Sequence, residues 1–301
     1  MSRTALSSTG YLVLAAAAWL AAGCEITVNS GPYSVHEEKR FQVSGPPNLS
    51  LTTFDGSVEV RSWDRDEVLI EVEKRGPDKP TAEAVQVRVE QSGDTITIEV
   101  KKPGGDQPTF GFKVSPSARI VASVPRKCNL TARSGDGSIR VERVTGKIDL
   151  RTGDGGVRGI DLAGTLVVHT GDGTLRFDDV DGDVDLESGD GGARLTGKLQ
   201  AVRLRTGDGS VEVRADQGSA MAGDWEIRTG DGGMRVELPA NFSANLDAST
   251  SDGVVRVRGF GGAETPTKDR ERHSTVQCPL NAGGKLLRLR SDSGTITVRP
   301  L

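Results

Sequence analysis

The stretch "LRTGDGGVRGIDLAGTLVVHTGDGTLR" (Leu150–Arg176) carries one tetrapeptide twice, at Thr152–Gly155 and Thr170–Gly173, with the two aspartates 18 residues apart. The interval continues on both sides. Asp136, Asp154, Asp172, Asp190 and Asp208 each stand 18 residues after the last, and Asp231 and Asp252 follow at 23 and 21. A fixed period in this range marks a repeat architecture.

The flanks keep the same register. Two residues before each aspartate is a hydroxyl: Ser134, Thr152, Thr170, Ser188, Thr206, Thr229 and Thr250. Apolar residues stand four before (Leu150, Val168, Leu186), six before (Ile148, Leu166, Val184) and three after (Val157, Leu175, Ala193). Alternation on either side of the motif describes strands with one buried face. The hydroxyl falls on that face and is expected to hydrogen-bond near the corner. Asp-Gly between alternating runs reads as a turn, with glycine supplying positive φ. A second turn recurs ten residues after the aspartates, at Gly146, Gly164 and Gly182. Each repeat is therefore expected to hold two short strands and two tight turns.

Weaker copies lie at both ends. "LSLTTFDGSVEV" is centred on Asp55, and "LLRLRSDSGTITV" puts Ser293 in the aspartate position. Degenerate end units suit caps. Between these lie "EVLIEVEKRG" and "AVQVRVEQSGDTITIEV", which read as a meander over Glu67–Val100, and a loop-like stretch over Lys101–Ser117. Residues 41–118 form an N-terminal β region, 119–301 the repeat region, and 261–280 a polar insertion within it. Two all-β folds fit: a β-solenoid of parallel, stacked coils, right-handed by the default of parallel crossovers, or an antiparallel hairpin meander. Near-identical 18-residue units favour the solenoid.

The N-terminus reads as an export signal. Arg3 precedes a short apolar run, Tyr11–Ala22, and "LAAGC" places small residues before Cys24. The pattern resembles a bacterial lipobox, although Ala21 departs from the usual Leu. Residues 1–23 would be the signal peptide, Cys24 the lipidated residue, and 24–40 a polar tether. Two or more acyl chains anchor stably. Glu25, where an Asp would signal retention, favours the outer over the inner membrane of a bacterial envelope. Without Arg3 the formal charge moves from −4 to −5, which offers no basic footprint for nucleic acid. Cys128 and Cys278 remain, and an oxidising envelope would let them pair.

The repeats and ends together resemble a bacterial β-strand-repeat family of unknown function, often labelled as adhesins by inference. The resemblance rests on "FDGSVEVRSWDRDEVLIEVEKRG" (Phe54–Gly76), "VEQSGDTITIEV" (Val89–Val100), the TGDG ladder and "VELPANFSANLDASTSDGVVRV" (Val236–Val257). It implies a β-solenoid on the cell surface or in the periplasm, and no known activity.

The chemistry of the motif is open to several readings. The ladder of Asp136, Asp154, Asp172, Asp190, Asp208 and Asp231 is a weak cation-binding candidate. Calcium-binding solenoids use a nine-residue G-G-x-G-x-D consensus that this chain lacks. Stacked carboxylates ~4.8 Å apart repel by ~0.9 kcal/mol per pair in water. Backbone N–H groups of each turn, with Arg133, Arg151, Arg205 and Arg228 nearby, are expected to relieve this. No Walker lysine accompanies the motif, so nucleotide binding is not expected. His36, His169 and His273 are scattered, and no metalloprotease or hydrolase motif occurs. The acidic run Asp178, Asp179, Asp181, Asp183 and Asp185 could host a carboxylate pair of a polysaccharide-active enzyme, but reads better as a solvated corner. A non-enzymatic, lipid-anchored envelope solenoid that meets surface glycans or envelope proteins is the expectation. An envelope-stress or signalling accessory is the second reading.

Overall fold

Residues two before, four before and six before each aspartate pair in parallel with their counterparts in the next repeat. Leu166, Val168 and Thr170 lie opposite Val184, Leu186 and Ser188, and opposite Ile148, Leu150 and Thr152 on the other side. The computed structural model describes residues 33–102, 104, 115–261, 267–268 and 274–301. Within the repeats the pairing is parallel throughout, which removes the hairpin meander and establishes a stack of coils. Like residues meet like residues, so the inward columns fuse into one aliphatic core running from Phe41 to Val298. Trp225 and Phe177 are its largest fully buried side chains.

The central coils differ from the expected pair of short strands. Val157–Thr170, Leu175–Ser188 and Ala193–Thr206 are each one 14-residue strand that serves both faces of the stack. The second corner bends the strand without ending it. Positive φ at Asp161 (53°), Gly164 (110°), Asp179 (59°) and Gly182 (142°) absorbs the bend, while Gly164 stays paired to Gly182.

The order of coils in space is not their order in the chain. At the C-terminal end, Leu287, Leu289 and Ser291 lie between Trp225, Ile227, Thr229 on one side and Leu246, Ala248, Thr250 on the other. At the N-terminal end, the Asp55 coil lies between the Leu130 coil and an outer layer built from Thr95–Lys101 and Ser117–Pro125. The degenerate copies are therefore next-to-last layers, not the caps expected of them. Antiparallel strands close the stack outside them.

Several elements correct the expected organisation. Residues Tyr33–Gln42 are a strand paired antiparallel with Glu67–Gly76, so the tether does not extend to residue 40. This strand is polar because it lies at a sheet edge with much of its length exposed. The Glu67–Val100 region is not one meander. Glu67–Gly76 pairs with Ser117–Pro125, and a short helix, Lys79–Glu83, capped by Asp78 on the Thr81 amide, separates it from the Gln86–Ser92/Thr95–Lys101 hairpin. In the segment read as a polar insertion, Ser274–Leu280 is a strand antiparallel to Ala244–Asp252. The Ser117–Pro125 strand spans the expected division at residue 118. Cys128 and Cys278 are both free thiols at opposite ends of the stack, Cys128 just before the Asn129–Ser134 strand and Cys278 on Ser274–Leu280. Burial pushes the Cys128 thiol up to about 12, so it stays protonated and inert.

Candidate functional site

The TGDG corner is built from the inside outward. Its hydroxyl is buried and donates to the coil beneath. Thr170 Oγ1 reaches the Gly155 carbonyl at 2.9 Å, Thr206 the Gly191 carbonyl at 2.6 Å and Thr229 the Gly209 carbonyl at 2.7 Å. The series follows spatial order across both rearranged ends, from Ser134 to Gly56 at 2.7 Å and from Thr250 to Gly294 at 3.0 Å. Some hydroxyls also accept from their own turn, as Ser134 does from the Gly137 amide at 3.0 Å. These bonds satisfy carbonyls that the corner would otherwise leave unpaired inside the stack.

The motif glycines are required for a different reason from the one expected. None of the TGDG glycines has positive φ; that conformation occurs at the second corner, as at Gly164 and Gly182, and in the two degenerate copies at Gly56 and Gly294. What excludes a side chain is the coil below. A Cβ on Gly173 would stand 2.1 Å from the Gly155 carbonyl oxygen, and one on Gly191 2.0 Å from that of Gly173. The first glycine of each motif is similarly placed, with 2.7 Å available at Gly171. Glycine here permits coils to stack at strand spacing where the chain turns.

The aspartates point to solvent. Asp136, Asp154, Asp172, Asp190, Asp208 and Asp231 are all exposed, and among the described residues no hydrogen bond or ion pair reaches them. The expected relief by turn amides is absent, because the first-glycine amides donate to the coil beneath, as Gly171 does to Gly153, and the Gly137 and Gly191 amides donate to the Ser134 and Ser188 hydroxyls. The expected relief by flanking arginines is absent too. Arg151 pairs with Asp149, and Arg205 and Arg228 pair with Glu226, all on the strand face before the corner. The described residues hold no group of three or more His, Cys, Asp or Glu side chains arranged to bind a metal ion. The ladder is an exposed column of like charges.

The other candidates separate likewise. Asp178 pairs with Arg176 at 3.2 Å, and Asp179, Asp181 and Asp183 are exposed around the second corner. Asp183 and Asp185 border an open surface depression of about 300 Å³ shared with Arg203 and Asp224. His169 Nε2 meets Glu187 at 3.2 Å on the surface. Cys24 lies outside the described residues.

One row was overlooked in the sequence. Four residues after the aspartates come Arg140, Arg158, Arg176, Arg194, Arg235 and Arg256, interrupted by Glu212 and Thr297. The parallel register sets them side by side in one outward row. The same counting that exposed the hydroxyls would have found it. Between this row and the aspartates runs a column of small residues, including Thr174, Gly192, Ser210, Gly233 and Thr295.

A family model matches residues 47–299, nearly the whole described stack. The chain belongs to the Toastrack DUF4097 family. Among solved structures, it is similar to a Parabacteroides distasonis protein labelled an adhesin by inference (12% identity, TM-score 0.44, 88% of this chain and 97% of that one). It is also similar to a Bacteroides fragilis protein so labelled (13%, TM-score 0.39, 88% and 97%). A third, from Clostridium sporogenes, is named for cell adhesion (13%, TM-score 0.31, 90% and 100%). No curated protein matches. This Toastrack chain therefore takes its fold from the register of its own strands, and its family from the model match.

Proposed function

We propose that this Toastrack protein is a non-enzymatic, lipid-anchored scaffold of the bacterial envelope, placed at the outer membrane and acting in adhesion. The observation that carries the reading is the continuous stack, whose parallel register lines up equivalent outward positions coil after coil. Such a surface suits an extended partner held by many weak contacts, each worth little alone. The outward carboxylates stand in open rows on corners, an arrangement that supports binding more than acid–base chemistry, which needs a sheltered pair.

Fractionation of cells tests the anchor. Cys24→Ser should move the protein from detergent-extracted membranes to the soluble fraction, and retention in membranes would overturn it. Adhesion is tested with the detergent-extracted protein on an array of surface glycans and matrix proteins. Binding to none of them would overturn adhesion.

A further inference from the structure

The small-residue column and the arginine row together form a shallow trough of about 640 Å³ along the later coils. Its lining includes four guanidinium groups, from Arg176, Arg194, Arg235 and Arg256, and one carboxylate, Glu212. Arg176 is tied to Asp178 at 3.2 Å and Arg194 to Glu212 at 2.9 Å. Arg235 and Arg256 are exposed, and neither pairs with a carboxylate among the described residues. This local excess of positive charge stands on a chain whose formal net charge is −4.

We propose that this trough binds a linear acidic polysaccharide, a polymer of uronate-type sugars, lying along the axis of the stack. The inference rests on the adhesive reading above and assigns it a site. Guanidinium groups hold carboxylates through two parallel N–H bonds and keep their charge at any physiological pH. Across the trough, Arg194, Arg235 and Arg256 fall on alternate coils, separated by Glu212 and Thr297. Alternate coils are ~9.6 Å apart, twice the strand spacing. A polymer with its carboxylates on every second sugar has the same alternation. The floor of glycines and hydroxyls admits a thick, hydroxylated chain.

The exposed aspartates stand beyond the small-residue column and do not line the trough, whose one carboxylate is Glu212. Nucleic acid is disfavoured because the trough presents no aromatic ring on which bases could stack.

The test uses the detergent-extracted full chain with three probes: sodium hyaluronate, whose carboxylates fall on every second sugar, neutral dextran and polyphosphate. Hyaluronate should bind, more weakly as salt is raised, and dextran should not. Arg235→Gln combined with Arg256→Gln should weaken hyaluronate binding about tenfold or more, while Arg151→Gln on the other face leaves it unchanged. Gly233→Phe supplies an independent variant. A Cβ there meets only the Thr295 carbonyl at 3.8 Å, so the ring can fill the trough without disturbing the stack, and binding should fall similarly. Unchanged binding in the double-arginine and Gly233→Phe variants overturns the site. Tighter binding of polyphosphate at equal charge concentration overturns the assignment to an acidic sugar polymer. Failure of hyaluronate to bind overturns this proposal alone, since the adhesive reading falls only if the wider array is also blank.

Discussion

The hydroxyl of Ser291 donates to the carbonyl oxygen of Gly232 at 3.1 Å, 59 residues earlier in the chain. The bond belongs to the same ladder that joins neighbouring repeats elsewhere, yet it skips the intervening Asp252 coil. That coil lies on the far side, where Thr250 donates to Gly294 at 3.0 Å. The last segment of the chain is thus an inner layer.

Removing residues 285–301 should therefore uncover two coil faces, not one end. Leu287, Leu289, Ile296 and Val298 are fully buried. Burial of each contributes roughly 1.5–3 kcal/mol, and together they approach the net stability of a domain. The truncated chain should lose its cooperative denaturant transition. A midpoint within experimental error of the full chain would show that the inserted coil contributes little.

The corner glycines are predicted to fail by collision. Gly173→Ala should cost about 2–4 kcal/mol, since its methyl would meet the Gly155 carbonyl. Asp172→Asn should cost nothing and stabilise slightly, since it removes one exposed charge from a column of like charges. Gly223, with nothing within 4 Å of an added Cβ, provides the control and should accept alanine freely. Chemical denaturation of the three variants checks the order. A larger loss for Asp172→Asn than for Gly173→Ala would reverse the roles assigned to the motif.

The hydroxyl ladder makes its own prediction. Thr170→Val keeps shape but removes the donor to the Gly155 carbonyl, and should cost about 1–3 kcal/mol by leaving a buried acceptor unpaired. Thr170→Ser keeps the donor and should recover most of that loss. Equal losses for both would assign the effect to packing of the methyl group.

Asp247 gives a pH-dependent outcome. Burial opposes its ionisation, but hydrogen bonds from Arg290 and Gln277 and the charges of Arg290 and Arg288 outweigh that and hold its carboxyl below the ordinary range. A carboxyl lowered on folding stabilises above its unfolded pKa of about 3.9, and that contribution drains away as pH falls through the folded value. Asp247→Asn should therefore be less stable than the native chain at pH 7, and the gap should close below about pH 4. A gap that does not change with pH would mean the ion pair is not its source.

The repeat period, the inward hydroxyls and the parallel stacking were legible because they depend on residues at fixed offsets from Asp136 to Asp231. The order of the coils was not. The Asp252 and Ser293 copies fit the same template, and nothing local says which one touches Trp225. The Tyr33–Gln42 strand was missed because an exposed edge strand needs few apolar residues, and "YSVHEEKRFQ" has few. The glycine requirement was legible but its cause was not, since the obstructing carbonyl belongs to another coil. The arginine row was present at a constant offset and needed only to be counted.

The closing strands have a consequence for assembly. Gln86–Ser92 covers Thr95–Lys101, Glu67–Gly76 covers Ser117–Pro125, and Ser274–Leu280 covers Ala244–Asp252, all antiparallel. A second copy seeking to continue the stack would find bookends running the wrong way at these edges. A parallel coil cannot simply be added in register at those edges, whereas duplicating a whole coil between Asp136 and Asp208 would lengthen the stack from within, with every new inward residue meeting its own kind.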